Sequence, residues 1–363
     1  MQTRIVKIND PSAQREEIEK AGELIRRGEL VAFPTETVYG LGANGFDATA
    51  CAKIYAAKGR PSDNPLILHV ADRAMIDLVA AEVNDTAEKL LTAFCPGALT
   101  LILPKSGRVP PKVTGNLSTV GVRWPDNAVA RALITAAGVP IAAPSANISG
   151  RPSPTTAEMT AADMTGKIPL ILDGGNTRVG VESTIVDCSA RVATILRPGG
   201  ITREMLAEVL GEVRLDPGLE RADAAPKAPG MKYRHYAPKA PLTVFCGKSE
   251  RMEDFFLGQA QKLQNAGKRA GILASREVAD AVKRILPSER VFAYGTQGNL
   301  TEIAKNLYAG LCYFDNCAVD LILAEGVTET NLGLAIMNRL QKASGGRVIE
   351  IGEFKNDSIS QTL

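Results

Sequence analysis

Between Arg214 and Pro241 the chain places five prolines (Pro217, Pro226, Pro229, Pro238, Pro241) and two glycines (Gly218, Gly230). Neither a helix interior nor a central strand tolerates such a stretch, because proline lacks the donor and glycine the restraint that both need. It therefore reads as a partly extended linker that divides the chain into two folding parts. The length of 363 residues fits that division, being long for one ordinary core. The expected boundaries are 1–210, a linker over 211–240, and 241–363.

The two parts have different rhythms. Before the linker, short apolar runs such as Leu30–Phe33, Pro65–Val70, Leu99–Leu103 and Val120–Arg123 alternate irregularly with helical stretches at Ser12–Arg27, Ala48–Ala57 and Asn127–Ala137. That mixture suggests an α+β or open α/β domain. After the linker the alternation is regular. Strands are expected at Leu242–Cys246, Ala270–Ala274, Arg290–Tyr294, Val319–Ala324 and Arg347–Ile351, with helices near 251–266, 276–285, 300–314 and 333–344. A βαβ series of this kind predicts a small parallel sheet.

Composition removes several function classes. The net charge is +2, and residues 1–204 and 205–363 each carry an excess of only one positive charge. Neither part can hold a duplex by phosphate neutralisation alone, and 5% aromatics offer few stacking platforms. The six cysteines are scattered with no CxxC, and there are only two histidines, so no metal site is expected. No charged-then-apolar leader and no long apolar run is present, so a cytoplasmic protein without membrane contact is expected.

Three stretches carry the chemistry: PTETVYGLGAN at Pro34–Asn44, AAKGRPSDNPLILHV at Ala56–Val70, and APSANISGRPSPT at Ala143–Thr155. Together they offer Lys58, Arg60, Ser145 and Asn147, two cations with small polar donors, a set suited to a polyanion such as a nucleoside triphosphate. Each feature also has a plain structural alternative. Lys58 and Arg60 suit a helix C-terminus, Ser145 and Asn147 an ordinary turn, His69 a satisfied core position, and Arg123 a cation–π contact with Trp124. Gly40–Gly45 matches GxGxxG, but the expected strand ends at Pro34 and the next helix cap is Asp47. A tight, substrate-lining loop is the better reading. Gly247-Lys248-Ser249 resembles the tail of a phosphate-binding loop, yet Leu242 stands where its first glycine belongs.

Taken jointly, these motifs resemble the threonylcarbamoyl-AMP synthase family, the YrdC-like enzymes of the long, two-domain type. Further signatures are GGNTRVGVESTIVD at Gly174–Asp187, ILRPGG at Ile195–Gly200 and PGMKYRHYAP at Pro229–Pro238. The resemblance spans nearly the whole chain. It implies an α/β fold, with an N-terminal YrdC-like twisted sheet bearing a large concave cavity and a small Rossmann-like C-terminal domain. It implies a nucleotidyltransferase that converts L-threonine, bicarbonate or CO2, and ATP into threonylcarbamoyl-AMP and pyrophosphate, for threonylcarbamoyladenosine in tRNAs decoding ANN codons. A separate transferase would carry the product to tRNA, and Mg2+ would accompany ATP, although the sequence offers no carboxylate cage for it.

The resemblance also assigns residues. Lys58 and Arg60 would hold phosphates and offset charge on the leaving pyrophosphate. Asn64, Ser145, Asn147 and Ser153 would position phosphate and ribose, with Thr119 and Arg197 adding nucleotide contacts. Arg123 would pair with the threonine carboxylate, and Thr37, His69, Ala143 and Ser183 would complete the threonine site. The linker would form a lid, with His235 and Tyr236 reaching the nucleotide. Two other readings stay open: an RNA-binding module, and a carbamoyltransferase-related subunit.

Overall fold

The computed structural model describes residues 1–219 and 235–352. The chain divides into two compact units: Met1–Ser149 with Ser153–Tyr233, and Gly150–Pro152 with Arg234–Leu363.

The first unit is built on one mixed sheet. Its strands in chain order are β1 (Arg4–Lys7), β2 (Val31–Phe33), β3 (Gly40–Asn44), β4 (Ile67–His69), β5 (Leu99–Pro104), β6 (Thr119–Arg123), β7 (Ile141–Ala142), β8 (Leu170–Asp173), β9 (Thr184–Asp187), β10 (Thr194–Arg197) and β11 (Arg214–Leu215). In space they run β1-β8-β2-β3-β7-β4-β6-β5-β9-β10-β11. Strand alternation sends successive side chains to opposite faces. Ala32, Leu41, Leu68, Leu101, Val122 and Val186 enter the main core on one face. On the other face Val31, Phe33, Ile141 and Leu172 meet the helices Arg15–Arg26 and Ala128–Ala137 through Ile18, Ile25, Leu133 and Ile134. Further along that second face, four apolar residues, Ile67, Ile102, Ile185 and Leu196, form a small cluster of their own. His69, Thr100 and Arg197, described below, share strands with Ile67, Ile102 and Leu196.

Two expectations change. GLGAN at Gly40–Asn44 is a strand, not a loop: β3 pairs antiparallel with β2 and β7 in mid-sheet. A Cβ on Gly42 would come within 2.7 Å of Ile141 Cγ2 and 2.9 Å of Phe33 Cε1. The glycines serve close packing rather than approach to a phosphate. The regular structure also runs past residue 210, because β11 pairs parallel with β10 inside the stretch read as linker. The helices Arg73–Val79, Ala157–Met164 and Arg203–Leu210, and the edge strand β1, were not anticipated.

The second unit carries β12 (Leu242–Cys246), β13 (Ala270–Ser275), β14 (Val291–Gly295), β15 (Leu321–Glu325) and β16 (Val348–Glu350), all close to the expected positions. The spatial order is β14-β13-β15-β12-β16 and every pairing is parallel. Helices Ser249–Asn265, Arg276–Val282, Leu300–Tyr313 and Leu332–Ser344 make the crossovers. The fold is α/β throughout.

Candidate active site

Register places the first group of residues. In β4–β6–β5, His69 lies opposite Arg123, and Arg123 opposite Thr100, so the three form a row across the sheet. Thr100 Oγ1 is 2.8 Å from Ser183 Oγ. Arg197, at the end of β10, reaches back to Ser183, donating Nη2 to its carbonyl at 2.9 Å and to Oγ at 3.1 Å. The close approach behind this is explained by Gly199, where a Cβ would sit 2.3 Å from Glu182 O and 2.5 Å from Ser183 C. Only glycine lets that loop lie against the Ser183 backbone.

Arg123 is not the surface partner of Trp124 that its neighbour suggested. It is 5% exposed and faces the loop between β2 and β3. Its Nη2 lies 2.9 Å from Glu36 Oε2 and donates to Thr37 Oγ1 at 2.7 Å. Glu36 is equally buried, and neither a charge like this nor its partner is stable alone in such surroundings. Arg123 Nε has no hydrogen-bond partner among the described residues. Next to it His69 is buried, its Nδ1 3.3 Å from Ile67 O and its ring edge-on to Phe33. Burial first, and the nearby Arg123 second, push its pKa from 6.5 to about 3. The imidazole is therefore neutral at any working pH.

Lys58 organises the second group. It is the last residue of helix Ala48–Lys58, which Asp47 caps through its side chain and Gly59 ends in the left-handed conformation. Its ammonium, 2% exposed, donates to the carbonyls of Ser145 and Asn147 and to Asn147 Oδ1 at 3.3 Å. All three donors are thus directed at the Ser145–Asn147 turn, where Ser145 Oγ donates to Asn147 Oδ1. Burial and then the charge of Arg60 push the Lys58 pKa well down, and Asp163 opposes them. An anion brought here would restore the charged form. Arg60 donates Nη2 to Pro65 O at 3.1 Å. Asn64 Oδ1 is buried without a hydrogen-bond partner among the described residues. Ser153 donates to Glu182 Oε1 at 2.6 Å. Ala143 is buried just after β7, and Thr119 opens β6 half-buried opposite Pro104. An isolated bridge between Gly40 and Ser145 ties this turn to the strand that follows Thr37.

His235 and Tyr236 lie in the second unit. Tyr236 is buried, stacked on Tyr308 at 5.2 Å between centroids, with the Arg339 guanidinium 5.7 Å from its ring centre. His235 tilts against Tyr236. Lys232, Tyr233 and Arg234 of the expected lid lie outside the described residues.

Sequence reading did not single out Glu36, Thr100, Glu182 or Asp163. Glu36 was visible as part of PTETVYGLG, where an acid between two threonines was a usable signal. Thr100 had none, because it becomes polar company for Arg123 only through strand register.

A family profile described as "Telomere recombination" matches residues 23–199, and one described as "Threonylcarbamoyl-AMP synthase, C-terminal domain" matches residues 201–345. The threonylcarbamoyl-AMP synthase of Bacillus subtilis is 48% identical over 94% of this chain and 95% of its own length. That of Pyrococcus abyssi is 48% identical over 93% of this chain and 98% of its own. The crystal structure of P. abyssi Sua5 complexed with L-threonine superposes with a TM-score of 0.90 at 46% identity, covering 96% of this chain and all of that one. With both domains matched and relatives this similar along their whole length, the chain belongs to the threonylcarbamoyl-AMP synthase family.

Proposed function

We propose that this chain joins L-threonine, bicarbonate or CO2, and ATP into threonylcarbamoyl-AMP, releasing pyrophosphate, as the nucleotidyltransferase step that prepares threonylcarbamoyladenosine for tRNAs decoding ANN codons. The observation that carries the reading is three buried basic side chains in one unit: Lys58, Arg123 and Arg197 are 2%, 5% and 6% exposed. Such groups suit anionic reactants more than they suit a core.

The chemistry needs little covalent help. The threonine nitrogen attacks the carbon of CO2 and loses a proton to give a carbamate; from bicarbonate the same carbamate forms as a C–O bond breaks and water leaves. A carbamate oxygen then attacks the α-phosphorus, and the bond to the β-phosphate oxygen breaks. Positioning and charge stabilisation dominate such steps. Arg123, with Nε still able to donate, takes the threonine carboxylate. Thr37, neutral His69, the Ala143 backbone and Ser183 surround the amine and hydroxyl. Lys58 and Arg60 offset charge developing on pyrophosphate. Asn64, Ser145, Asn147, Ser153, Thr119 and Arg197 hold phosphate and ribose, and His235 and Tyr236 join the nucleotide set through the family resemblance. Mg2+ fits this arrangement as a companion of the nucleotide's own phosphates, a mode that needs few protein carboxylates. Among the described residues no three His, Cys, Asp or Glu side chains form a metal cage. The mixed anhydride product is labile in water, which calls for a separate transferase to consume it.

The test is pyrophosphate release from ATP and bicarbonate, with and without L-threonine. Wild type should show threonine-dependent release, and Lys58→Ala should lower it by about 100-fold or more, the scale of losing one charge-stabilising donor. Release indifferent to threonine would mean a different nucleotide enzyme. Full activity in the variant would remove Lys58 from the site.

A further inference from the structure

A cavity of about 790 Å³ opens at the C-terminal ends of the parallel strands of the second unit. That is the size of a small-molecule site. Its place in the fold is also that of one. The chain leaves β13 toward β14 on one side of the sheet and leaves β15 toward β16 on the other. Neighbouring strands whose connections depart in opposite directions leave a crevice above their ends, where open α/β sheets bind ligands.

Ser275 ends β13 and Glu325 ends β15, so the pair flanks that crevice. They are 1% and 3% exposed, and Ser275 N donates to Glu325 Oε2 at 2.6 Å. Ser275 is buried and lines the cavity beside the Glu325 carboxyl. Tyr294 OH is committed to Glu325 O at 2.8 Å and fixes the strand end. Burial raises the carboxyl pKa of Glu325, so donors directed at its oxygens would restore the ionised form.

The remaining lining selects among ligands. Glu250 and Glu350 stand exposed at the rim against a single cation, Lys248. Glu250 lies in the first turn of helix Ser249–Asn265, so a carboxylate already meets the helix end that would attract a phosphate. Leu300 and Ile303 supply an apolar wall. We infer that this cavity binds a ribose-bearing ligand without phosphate, a nucleoside, whose vicinal hydroxyls donate to the Glu325 carboxylate beside Ser275 Oγ while its base lies on Leu300 and Ile303. A carboxylate at a strand end receiving ribose hydroxyls is a recurrent solution in such sheets. The site is separate from the residues assigned to synthesis, and its test does not depend on that assignment.

Adenosine is titrated calorimetrically into the full-length protein, into Glu325→Gln, into Ser275→Ala and into Lys58→Ala. Binding should weaken about tenfold in Glu325→Gln, less in Ser275→Ala, and stay unchanged in Lys58→Ala. On the unaltered protein 2′-deoxyadenosine should bind about tenfold more weakly than adenosine, and AMP more weakly still, which keeps the test independent of how the variants fold. The inference is overturned if adenosine does not bind or binds Glu325→Gln as well as wild type. Loss only in Lys58→Ala, AMP binding as tightly as adenosine, or spermidine binding in place of adenosine would overturn it equally.

Discussion

A guanidinium and a carboxylate both shut away from water hold one another in place, and Arg123 with Glu36 is such a pair. Glu36 and the threonine hydroxyls orient Arg123, leaving Nε without a hydrogen-bond partner among the described residues. His69 beside it contributes through what it refuses to do. Its native pKa of about 3 lies below the unfolded value of 6.5, so below pH 6.5 the unfolded chain binds a proton that the native state rejects. The stability associated with this residue is full above pH 6.5 and falls with acidity, by up to about 1.4 kcal/mol per pH unit, until the native pKa is reached. Urea midpoints at pH 7.5 and 5.0 should therefore differ less in His69→Gln than in wild type, by about 2 kcal/mol of stability. Equal differences would show that His69 titrates normally. At this scale the sequence was partly legible. Arg123, His69 and Lys58 stood out because the motifs that carry them jointly resemble a family. Glu36 did not, since an acid whose task is to hold another side chain looks like any loop acid until the fold brings the two together.

Glycine acts on elements rather than on residues here. In ILRPGG, Gly199 lets the loop after β10 lie directly on the Ser183 backbone, and through it sets where Arg197 reaches. Gly199→Ala must push that loop away, because the added Cβ would meet main chain and not a movable side chain. A cost of about 1–3 kcal/mol in urea unfolding is expected, together with a rise in the KM for ATP or threonine in the pyrophosphate assay. Wild-type values in both measurements would dismiss the close-approach argument. Most elements of the second unit were legible because three of its helices, of 13–17 residues, show several turns of periodicity. In the first unit the unanticipated helices Arg73–Val79, Ala157–Met164 and Arg203–Leu210 have only seven or eight residues each. Segments that short carry little periodicity, and distant partners decide what they become. GLGAN shows this best: its glycines read as a turn locally, and only the side chains of Phe33 and Ile141 make a strand of it.

For the whole molecule, charge separates enzyme from RNA-binding module. A net charge of +2 spread evenly over both parts leaves little excess positive charge to neutralise several phosphates. Unmodified tRNA without ATP should bind no more tightly than the roughly 10⁻⁴–10⁻⁶ M of non-specific association at physiological salt. Fluorescence anisotropy across a salt series checks this, and nanomolar affinity with a steep salt slope would restore the RNA-binding reading. No helix among the described residues is long and apolar enough to cross a membrane. The order of strands has one more effect, felt while the protein is being made. Arg4 in β1 pairs with Leu170 in β8, and Val31 in β2 pairs with the same residue. At roughly 5–20 residues per second, the ribosome needs about ten to thirty seconds to travel from the first of these strands to the last. During that time β2 can close one side on β3, while its other side waits with unsatisfied amides and carbonyls. The newborn N-terminal half therefore passes through a period of exposed strand edge, when molecular chaperones have the most to shield and neighbouring nascent chains the best chance to pair wrongly.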